Sequence, residues 1–169
     1  IELHNQTLLK VISGLNNFNI ESVKMISKAA LLGGADVIDL ACKPELVEAV
    51  IANNNMPICV SAVEPKLFVD AVKAGAAFIE IGNFDTFYEK GIFFSADQVL
   101  SLTKETKDLL PDIPLSVTVP HIIPLDQQVE LALKLINEGA DIIQTEGGKS
   151  SNPYSPGIQG HFEKAVPTL

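Results

Sequence analysis

The sequence repeats one short pattern, at Gly34-Ala35-Asp36-Val37-Ile38-Asp39, at Gly75-Ala76-Ala77-Phe78-Ile79-Glu80 and at Gly139-Ala140-Asp141-Ile142-Ile143-Gln144. Each copy follows a stretch of helical periodicity, and its first glycine stands where a helix ends in the left-handed region. The short apolar run after that glycine is typical of a buried strand. The pattern therefore predicts three helix-to-strand junctions of one kind, each with a polar residue near the end of its strand.

Three more strands and their helices extend this pattern over the chain. Two strands open on a proline, at 57–61 and 114–119, and another lies at 9–14. Helices are predicted from an asparagine cap, from prolines at first helical positions and from a Ser-x-x-Gln capping box, at 20–32, 44–51, 65–73, 99–110 and 125–137, with a last helix from about 158. The result is six βα units, which require parallel strands and right-handed crossovers.

The spacing of the units favours a barrel over an open sheet. Gly34 and Gly139 are four units apart, or about 26 residues per unit, and eight such units reach the roughly 200–250 residues of a complete barrel. Residues 13–18 lack the GxGxxG spacing of a dinucleotide-binding sheet. We therefore predict an α/β fold: a (β/α)8 TIM barrel with about the first six βα units present and the last two missing. Residues 1–169 would form a single partial domain, with an N-terminus trimmed of its Met and two exposed edge strands.

Composition excludes several classes of protein. The 169 residues carry a net charge of −9, and all 12 basic residues are lysine. This charge argues against nucleic acid as a partner, and no stretch is long and apolar enough for a transmembrane segment, so we expect a soluble protein. Cys42 and Cys59 lie in no metal-ligand spacing, and no cofactor motif is visible, so we predict no metal and no cofactor. Cys42 has two interpretations: the adjacent Lys43 lowers the pKa of its thiol, or Cys42 is a small buried hydrophobic residue, as most such cysteines are.

Strand alternation turns a set of polar residues toward the barrel interior, away from the apolar helix-facing side chains: Asp39, Ser61, Glu80, Thr118 and Gln144. Two carboxylates in a narrow, partly dry space repel each other, which would raise the pKa of one and make Asp39 and Glu80 a catalytic acid/base pair. The alternative is a buried structural network, in which the hydroxyls and the amide satisfy the carboxylates together with Lys10.

Further candidates lie in the loops after the strands, where TIM barrels place their active sites. His121 is positioned as a general base or oxyanion ligand. Glu146, Gly147, Gly148 and Lys149 would cradle an anion, unless they form an ordinary flexible turn. Asn16 and Asn83 suit sugar hydroxyls or carboxylates, but they are equally common as turn formers.

The loop Phe84–Phe94 holds five aromatic side chains after the fourth strand. It would close the barrel mouth as a lid or offer a surface to a protein partner. Otherwise it packs down as an extra cover.

The chain resembles a known family, the hypothetical chloroplast reading frame 23 family (domain of unknown function 561). The resemblance covers nearly the whole chain and rests on long strings such as 11–19, 58–65, 79–85, 116–121 and 144–148. It implies a barrel, a longer native chain and a location in the plastid stroma or the cyanobacterial cytoplasm. It implies no reaction.

Two functions remain open from the sequence. The first is a lyase or isomerase that acts on a small anionic or phosphorylated metabolite, with Asp39 and Glu80 handling protons and the 147–149 loop holding the anion. The second is a non-catalytic barrel that binds a metabolite or docks onto a larger photosynthetic assembly of the plastid through the aromatic loop. Fold alone does not decide between them.

Overall fold

A computed structural model describes residues 7–82, 84–88 and 90–146 of the chain. Six strands form one parallel sheet whose spatial order is the chain order: β1 (Lys10–Ile12), β2 (Val37–Ala41), β3 (Ile58–Ala62), β4 (Phe78–Ile81), β5 (Leu115–Val119) and β6 (Ile142–Thr145). The curved sheet is a half-barrel, which confirms the predicted partial (β/α)8 fold. Only β1 is clearly shorter than predicted; it is an edge strand of the described sheet and pairs with β2 alone.

The helices lie close to their predicted positions: α1 (Ile20–Leu32), α2 (Pro44–Ile51), α3 (Pro65–Lys73), α5 (Ala96–Leu109) and α6 (Leu125–Asn137). Asn19 caps α1 by accepting from the Ser22 backbone N–H, and Ser95 with Gln98 forms the capping box of α5. The four-residue helix α4 (Asp85–Tyr88) was not predicted. The helix predicted from about 158 lies outside the described residues.

The repeated glycines end their helices as the pattern requires. Gly34, Gly75 and Gly139 have φ angles of +80°, +113° and +97°, a region that side-chain-bearing residues rarely adopt. Each glycine turns the chain from a helix back into the sheet, so the same junction recurs before β2, β4 and β6.

The apolar side chains of the strands build the layer between sheet and helices. Their members are almost completely buried and belong to one cluster with the inward faces of the helices: Ile38, Leu40, Val60, Ile79, Ile81 and Val117. Because side chains alternate along a strand, the polar residues between them must point to the concave side of the sheet. The fold thus separates an apolar outer core from a polar lumen.

The helices nearest the two edges of the described sheet keep apolar side chains in solvent. On α6, four residues at helical spacing are each more than half exposed: Leu125, Val129, Leu133 and Ile136. On α1, Met25 and Leu32 are 69% and 79% exposed. These are the faces against which neighbouring helices pack in a closed (β/α)8 barrel. No helix in the described part of the chain is long and apolar enough to cross a bilayer.

Candidate active site

A network of polar side chains crosses the lumen between strands that are not neighbours in the sheet. The Lys10 ammonium on β1 forms an ion pair with Glu80 Oε2 on β4 and donates to Gln144 Oε1 on β6 at 2.7 Å. Gln144 Nε2 in turn donates to Glu80 Oε1 at 3.1 Å and to Thr118 Oγ1 at 3.4 Å. Contacts among β1, β4 and β6 are only available across the concave face, so the predicted inward orientation is confirmed for these residues.

Asp39 and Ser61 form the other half of the lumen. Ser61 Oγ lies 2.8 Å from both Asp39 carboxylate oxygens, and both residues are almost completely buried. Cys59 is also completely buried, and one ligand-type atom each from Asp39, Cys59 and Glu80 lies within 4.8 Å of the other two. The two carboxylates therefore come as close together as the strand pattern predicted.

The charges in this lumen change the pKa values of two groups. Burial works to lower the pKa of Lys10, but the negative charges of Glu80 and Asp39 raise it above its ordinary value. Burial also raises the pKa of the Cys59 thiol, and the carboxylates of Asp39 and Glu80 raise it further. At neutral pH the lumen therefore holds a protonated lysine and a protonated thiol.

This arrangement favours the structural alternative for Asp39 and Glu80. Each carboxylate has a partner at hydrogen-bond distance, and Lys10 supplies the positive charge that a pair of buried carboxylates needs. An acid/base role for these two residues stays a prediction. Gly82 shows how tightly the network is packed, because a Cβ placed there would collide with Thr118 Oγ1 and come within 3.2 Å of Glu80 Oε1.

A second group of polar residues lies at the mouth of the barrel, beyond the carboxyl ends of β4, β5 and β6. Glu146 Oε2 accepts three hydrogen bonds, from the His121 backbone N–H at 3.1 Å, from His121 Nδ1 at 2.8 Å and from the Tyr88 hydroxyl at 2.9 Å. The rings of Tyr88 and His121 meet edge to face, 5.4 Å between centroids. Glu146 is 8% exposed, whereas His121 is half-buried. We call Tyr88, His121 and Glu146 the rim cluster.

The Tyr88 hydroxyl is a fixed donor in this cluster. Burial raises the pKa of Tyr88 well above its ordinary value, and the carboxylates of Glu146 and Asp85 raise it further. The phenol therefore keeps its proton throughout the neutral and moderately alkaline range. Tyr88 fixes the carboxylate that orients His121, a role that a deprotonated phenolate could not perform.

The aromatic loop packs partly onto the barrel. Phe84 is completely buried and lies 4.8 Å from Phe94 between ring centroids, and Phe87 meets Phe94 edge to face. Phe93 stacks on Tyr88 but remains 57% exposed. Most of the loop is thus a cover over the barrel mouth, while its tip at Ile92 and Phe93 faces solvent.

Two cavities open at this mouth, on either side of α4. The larger, of about 580 Å³, lies over β1 to β3; Asn16, Ser61 and Phe87 are among its lining residues. The smaller, of about 280 Å³, is lined by Asp85, Thr86, Thr118, Gln144 and Glu146, with Leu15 at the boundary of both cavities. Several candidate residues from separate strands and loops therefore line these two cavities.

The three predicted catalytic residues, Asp39, Glu80 and His121, line neither cavity. Asn83, Gly147, Gly148 and Lys149 lie outside the described residues, so their predicted ligand roles stay predictions. For Cys42 the buried interpretation is confirmed and a lowered thiol pKa is wrong, because burial, with the charge of Asp39, raises the pKa of the thiol to about 12. Sequence reasoning missed Tyr88 as a partner of Glu146, since 58 residues separate them and no local pattern joins them.

Comparison with known proteins assigns the family. A family model described as "Protein of unknown function (DUF561)" matches residues 1–169. The chain belongs to the DUF561 family. Among DUF561 relatives, the uncharacterised protein ycf23 of Cyanophora paradoxa is 55% identical over 99% of this chain, and ycf23 of Pyropia yezoensis is 38% identical over 95% of it. The chain spans 69% and 59%, respectively, of the length of these relatives, which are chloroplast-encoded proteins.

Solved structures similar to this DUF561 chain include TIM-barrel aldolases and a lyase. Phospho-2-dehydro-3-deoxyheptonate aldolase of Thermotoga maritima has a TM-score of 0.60 at 11% identity, covering 82% of this chain and 40% of that one. The aldolase QR15 has a TM-score of 0.58 at 16% identity, covering 90% of this chain and 71% of that one. A 2,3-dimethylmalate lyase of the PEP mutase/isocitrate lyase superfamily has a TM-score of 0.59 at 13% identity, covering 82% of this chain and 56% of that one. At these identities the likeness shows the fold alone.

Proposed function

We propose that this DUF561 protein is an enzyme of the lyase or isomerase type that moves a proton on a small anionic metabolite. The observation that carries this proposal is the hydrogen bond of 2.8 Å between His121 Nδ1 and the buried Glu146 carboxylate, at the mouth of a TIM-type barrel. A histidine held by a buried carboxylate is an arrangement suited to general acid–base catalysis.

The hydrogen bonds at Glu146 determine which nitrogen of His121 can act. Glu146 Oε2 already accepts from a backbone N–H and from the Tyr88 hydroxyl, so it serves as an acceptor toward His121 as well. Nδ1 must then carry a proton, and the neutral ring keeps its lone pair on Nε2. Nε2 is the atom that would take a proton from a substrate carbon, and Glu146 would stabilise the imidazolium that forms.

The smaller cavity supports a small polar substrate. At about 280 Å³ it is at the lower end of the size of small-molecule sites. The hydroxyls of Thr86 and Thr118 and the amide of Gln144 on its walls suit the hydroxyl and carbonyl oxygens of a short-chain metabolite. Lyases and isomerases both act on such molecules by shifting a proton next to a carbonyl group.

The resemblance to aldolases does not extend to an imine mechanism through Lys10. A lysine that forms an imine must lose its proton to become a nucleophile. Lys10 has a raised pKa and is bonded to Glu80 and Gln144, so it remains an ammonium ion. Acid–base chemistry at the rim cluster is therefore the better account of the described residues.

The proposal is tested by proton exchange. The purified protein, with a chelator present, is incubated in D2O with phosphorylated hydroxyketones, hydroxyaldehydes and 2-oxo acids, and loss of substrate C–H signals is followed by NMR. We expect exchange or cleavage with at least one class, reduced roughly 100-fold or more in His121→Gln and Glu146→Gln. The exposed Asp108→Asn serves as a control and should retain full activity. The proposal fails if no class exchanges above the buffer rate, or if His121→Gln is as active as wild type.

The anionic group of the substrate is assigned to the loop Gly147-Gly148-Lys149. Consecutive glycines allow backbone N–H groups to converge on an anion, and Lys149 adds a positive charge. Inorganic phosphate should therefore raise the melting temperature of wild type but not of Lys149→Ala. An equal shift in both proteins would remove this loop from the proposal. We further propose a location in the plastid stroma or the cyanobacterial cytoplasm, in keeping with the chloroplast-encoded relatives.

A second candidate function is docking onto a larger protein assembly of the plastid. The exposed tip of the aromatic loop, Ile92 and Phe93, supports it, because these apolar side chains reach solvent beside the stacked Tyr88. Affinity capture from plastid extract with wild type and Phe93→Ser distinguishes the two candidates. Docking predicts a partner lost in the variant, whereas an unchanged set of partners together with active proton exchange favours the enzyme alone.

A further inference from the structure

We propose that Asp85, His121 and Glu146 together bind one divalent transition-metal ion at the mouth of the barrel. The three residues come from separate segments: α4, the loop after β5 and the residue directly after β6. One ligand-type atom from each lies within 4.8 Å of the other two. A sequence separation of 25 residues between His121 and Glu146, and 36 between Asp85 and His121, hides this grouping from any local motif.

The spacing is close to what a metal ion requires. Bonds from a transition metal to imidazole nitrogen or carboxylate oxygen measure about 2.0–2.2 Å, so two ligand atoms at tetrahedral angles around one ion lie about 3.3–3.6 Å apart. His121 Nδ1 and Glu146 Oε2 are already 2.8 Å apart, and shifts of up to about 1 Å in the half-buried side chains of Asp85 and His121 would bring all three ligand atoms into this range.

The ligand set and its surroundings suit an ion that also binds a small molecule. One imidazole and two carboxylates give three protein ligands, the number typical of catalytic sites that keep an open position. Asp85 and Glu146 border the 280 Å³ cavity, so the open position would face a space that holds water or a substrate. The imidazole favours Mn²⁺, Fe²⁺ or Zn²⁺ over Ca²⁺, which prefers oxygen alone.

The other close group of ligand-type residues, Asp39, Cys59 and Glu80, suits a metal ion less well. The Lys10 ammonium already pairs with Glu80, and the Cys59 thiol keeps its proton.

The inference goes beyond the proposed function and does not depend on it. A cation at this site would take the place of the proton that His121 Nδ1 shares with Glu146, because both ligands must be free of protons to bind a metal. The metal-free and metal-loaded proteins are therefore two states of one site. Exchange activity with a chelator tests the first state, and binding of the ion alone tests the second.

The test is titration of the purified, chelator-treated protein with Mn²⁺, followed by the EPR signal of the free ion. We expect one Mn²⁺ per chain, with affinity that weakens as the pH falls from 8 to 5, because protons compete for the ligands. Losing even an outer-shell partner costs metal sites about 10–100-fold in affinity, so Asp85→Asn and His121→Gln should each lose at least about tenfold. Asp108→Asn should bind as wild type does.

A measurement on wild type guards against misfolded variants. Bound Mn²⁺ should broaden the NMR signals of the His121 and Tyr88 rings at substoichiometric amounts. The proposal is overturned if wild type binds no stoichiometric Mn²⁺, if the His121 signals stay sharp, or if folded Asp85→Asn binds with unchanged affinity.

Discussion

At the scale of single residues, Lys10 supplies the positive charge that pairs with the buried Glu80 carboxylate. Glu80 is completely buried and has the Lys10 ammonium as its ionic partner. Removing one member of a buried ion pair leaves the other charge uncompensated and costs about 3–5 kcal/mol. We therefore expect Lys10→Met to lower the free energy of unfolding by about that amount in urea titrations. Lys10→Met combined with Glu80→Gln should recover most of the loss, and an equal or greater loss in the double variant would contradict the pairing.

The same pair gives a pH dependence with a defined sign. The pKa of Lys10 is higher in the folded chain than its ordinary value of 10.5, so the folded state holds this proton more tightly. The stabilisation is fully present below pH 10.5 and is lost as the pH rises through the folded-state pKa. The difference in unfolding free energy between wild type and the double variant should therefore be constant from pH 7 to 10, and above pH 10 wild type should lose stability relative to the double variant. A decline that begins near neutral pH would show that Lys10 is not held in this way.

Gly82 is required for space rather than for backbone freedom. A Cβ at this position would lie 2.9 Å from Thr118 Cβ and collide with Thr118 Oγ1. Overpacking of this kind costs about 1–3 kcal/mol, so Gly82→Ala should lower the unfolding free energy by that amount. Thr118→Gly removes the side chain that would clash. Gly82→Ala should therefore cost less unfolding free energy in the Thr118→Gly protein than in wild type. Simple additivity of the two changes would contradict a direct contact.

At the scale of elements, α4 connects the cover of the mouth to the rim cluster. Tyr88 of this helix donates a hydrogen bond to Glu146, while Phe87 lines the larger cavity and Asp85 lines the smaller one. A helix of four residues has no periodicity to reveal it, which is why the sequence indicated only an aromatic loop here. The starts of α1 and α5 could be predicted, because Asn19 caps the first helix and Ser95 with Gln98 forms the capping box of the second.

Loss of the Tyr88 hydroxyl tests the link between α4 and Glu146. Tyr88→Phe keeps the ring contacts with Phe93 and His121 and removes one hydrogen bond to a carboxylate. A hydrogen bond to a charged group contributes about 1.5–3 kcal/mol, so the unfolding free energy should fall within that range. Phe93→Ser, which changes the exposed stack without the hydrogen bond, is the comparison. If Tyr88→Phe is as stable as wild type, the hydroxyl does not hold Glu146.

At the scale of the whole molecule, the repeated glycine junctions predicted the fold together with the proline-opened strands between them. Gly34, Gly75 and Gly139 begin every second βα unit, although the two steps differ, at 41 and 64 residues, and the parity of each strand decides which side chains turn inward. Parity indicated a polar network that includes Lys10, but it could not predict which of its members meet across the lumen. Lys10 meets Glu80 and Gln144 because the sheet curves, and that curvature is a property of six strands together.

The exposed apolar face of α6 is a property of the open barrel. Val129 and Leu133 are 58% and 60% exposed, on the side where a further helix packs in a closed (β/α)8 barrel. We expect the 169-residue chain to self-associate in sedimentation velocity experiments, and Val129→Lys with Leu133→Lys to reduce this without loss of stability. A monomeric wild-type chain at high concentration would show that this face needs no cover.

The central claim, that a buried carboxylate prepares His121 for proton transfer at the barrel mouth, has one direct test. Two-bond ¹H–¹⁵N NMR spectra of metal-free protein near pH 8 identify which ring nitrogen of His121 carries the proton. The structure predicts the tautomer protonated at Nδ1, with an unprotonated Nε2, and a shift away from this tautomer in Glu146→Gln. A ring protonated at Nε2 alone in wild type would contradict the hydrogen bond to Glu146 and the chemistry built on it.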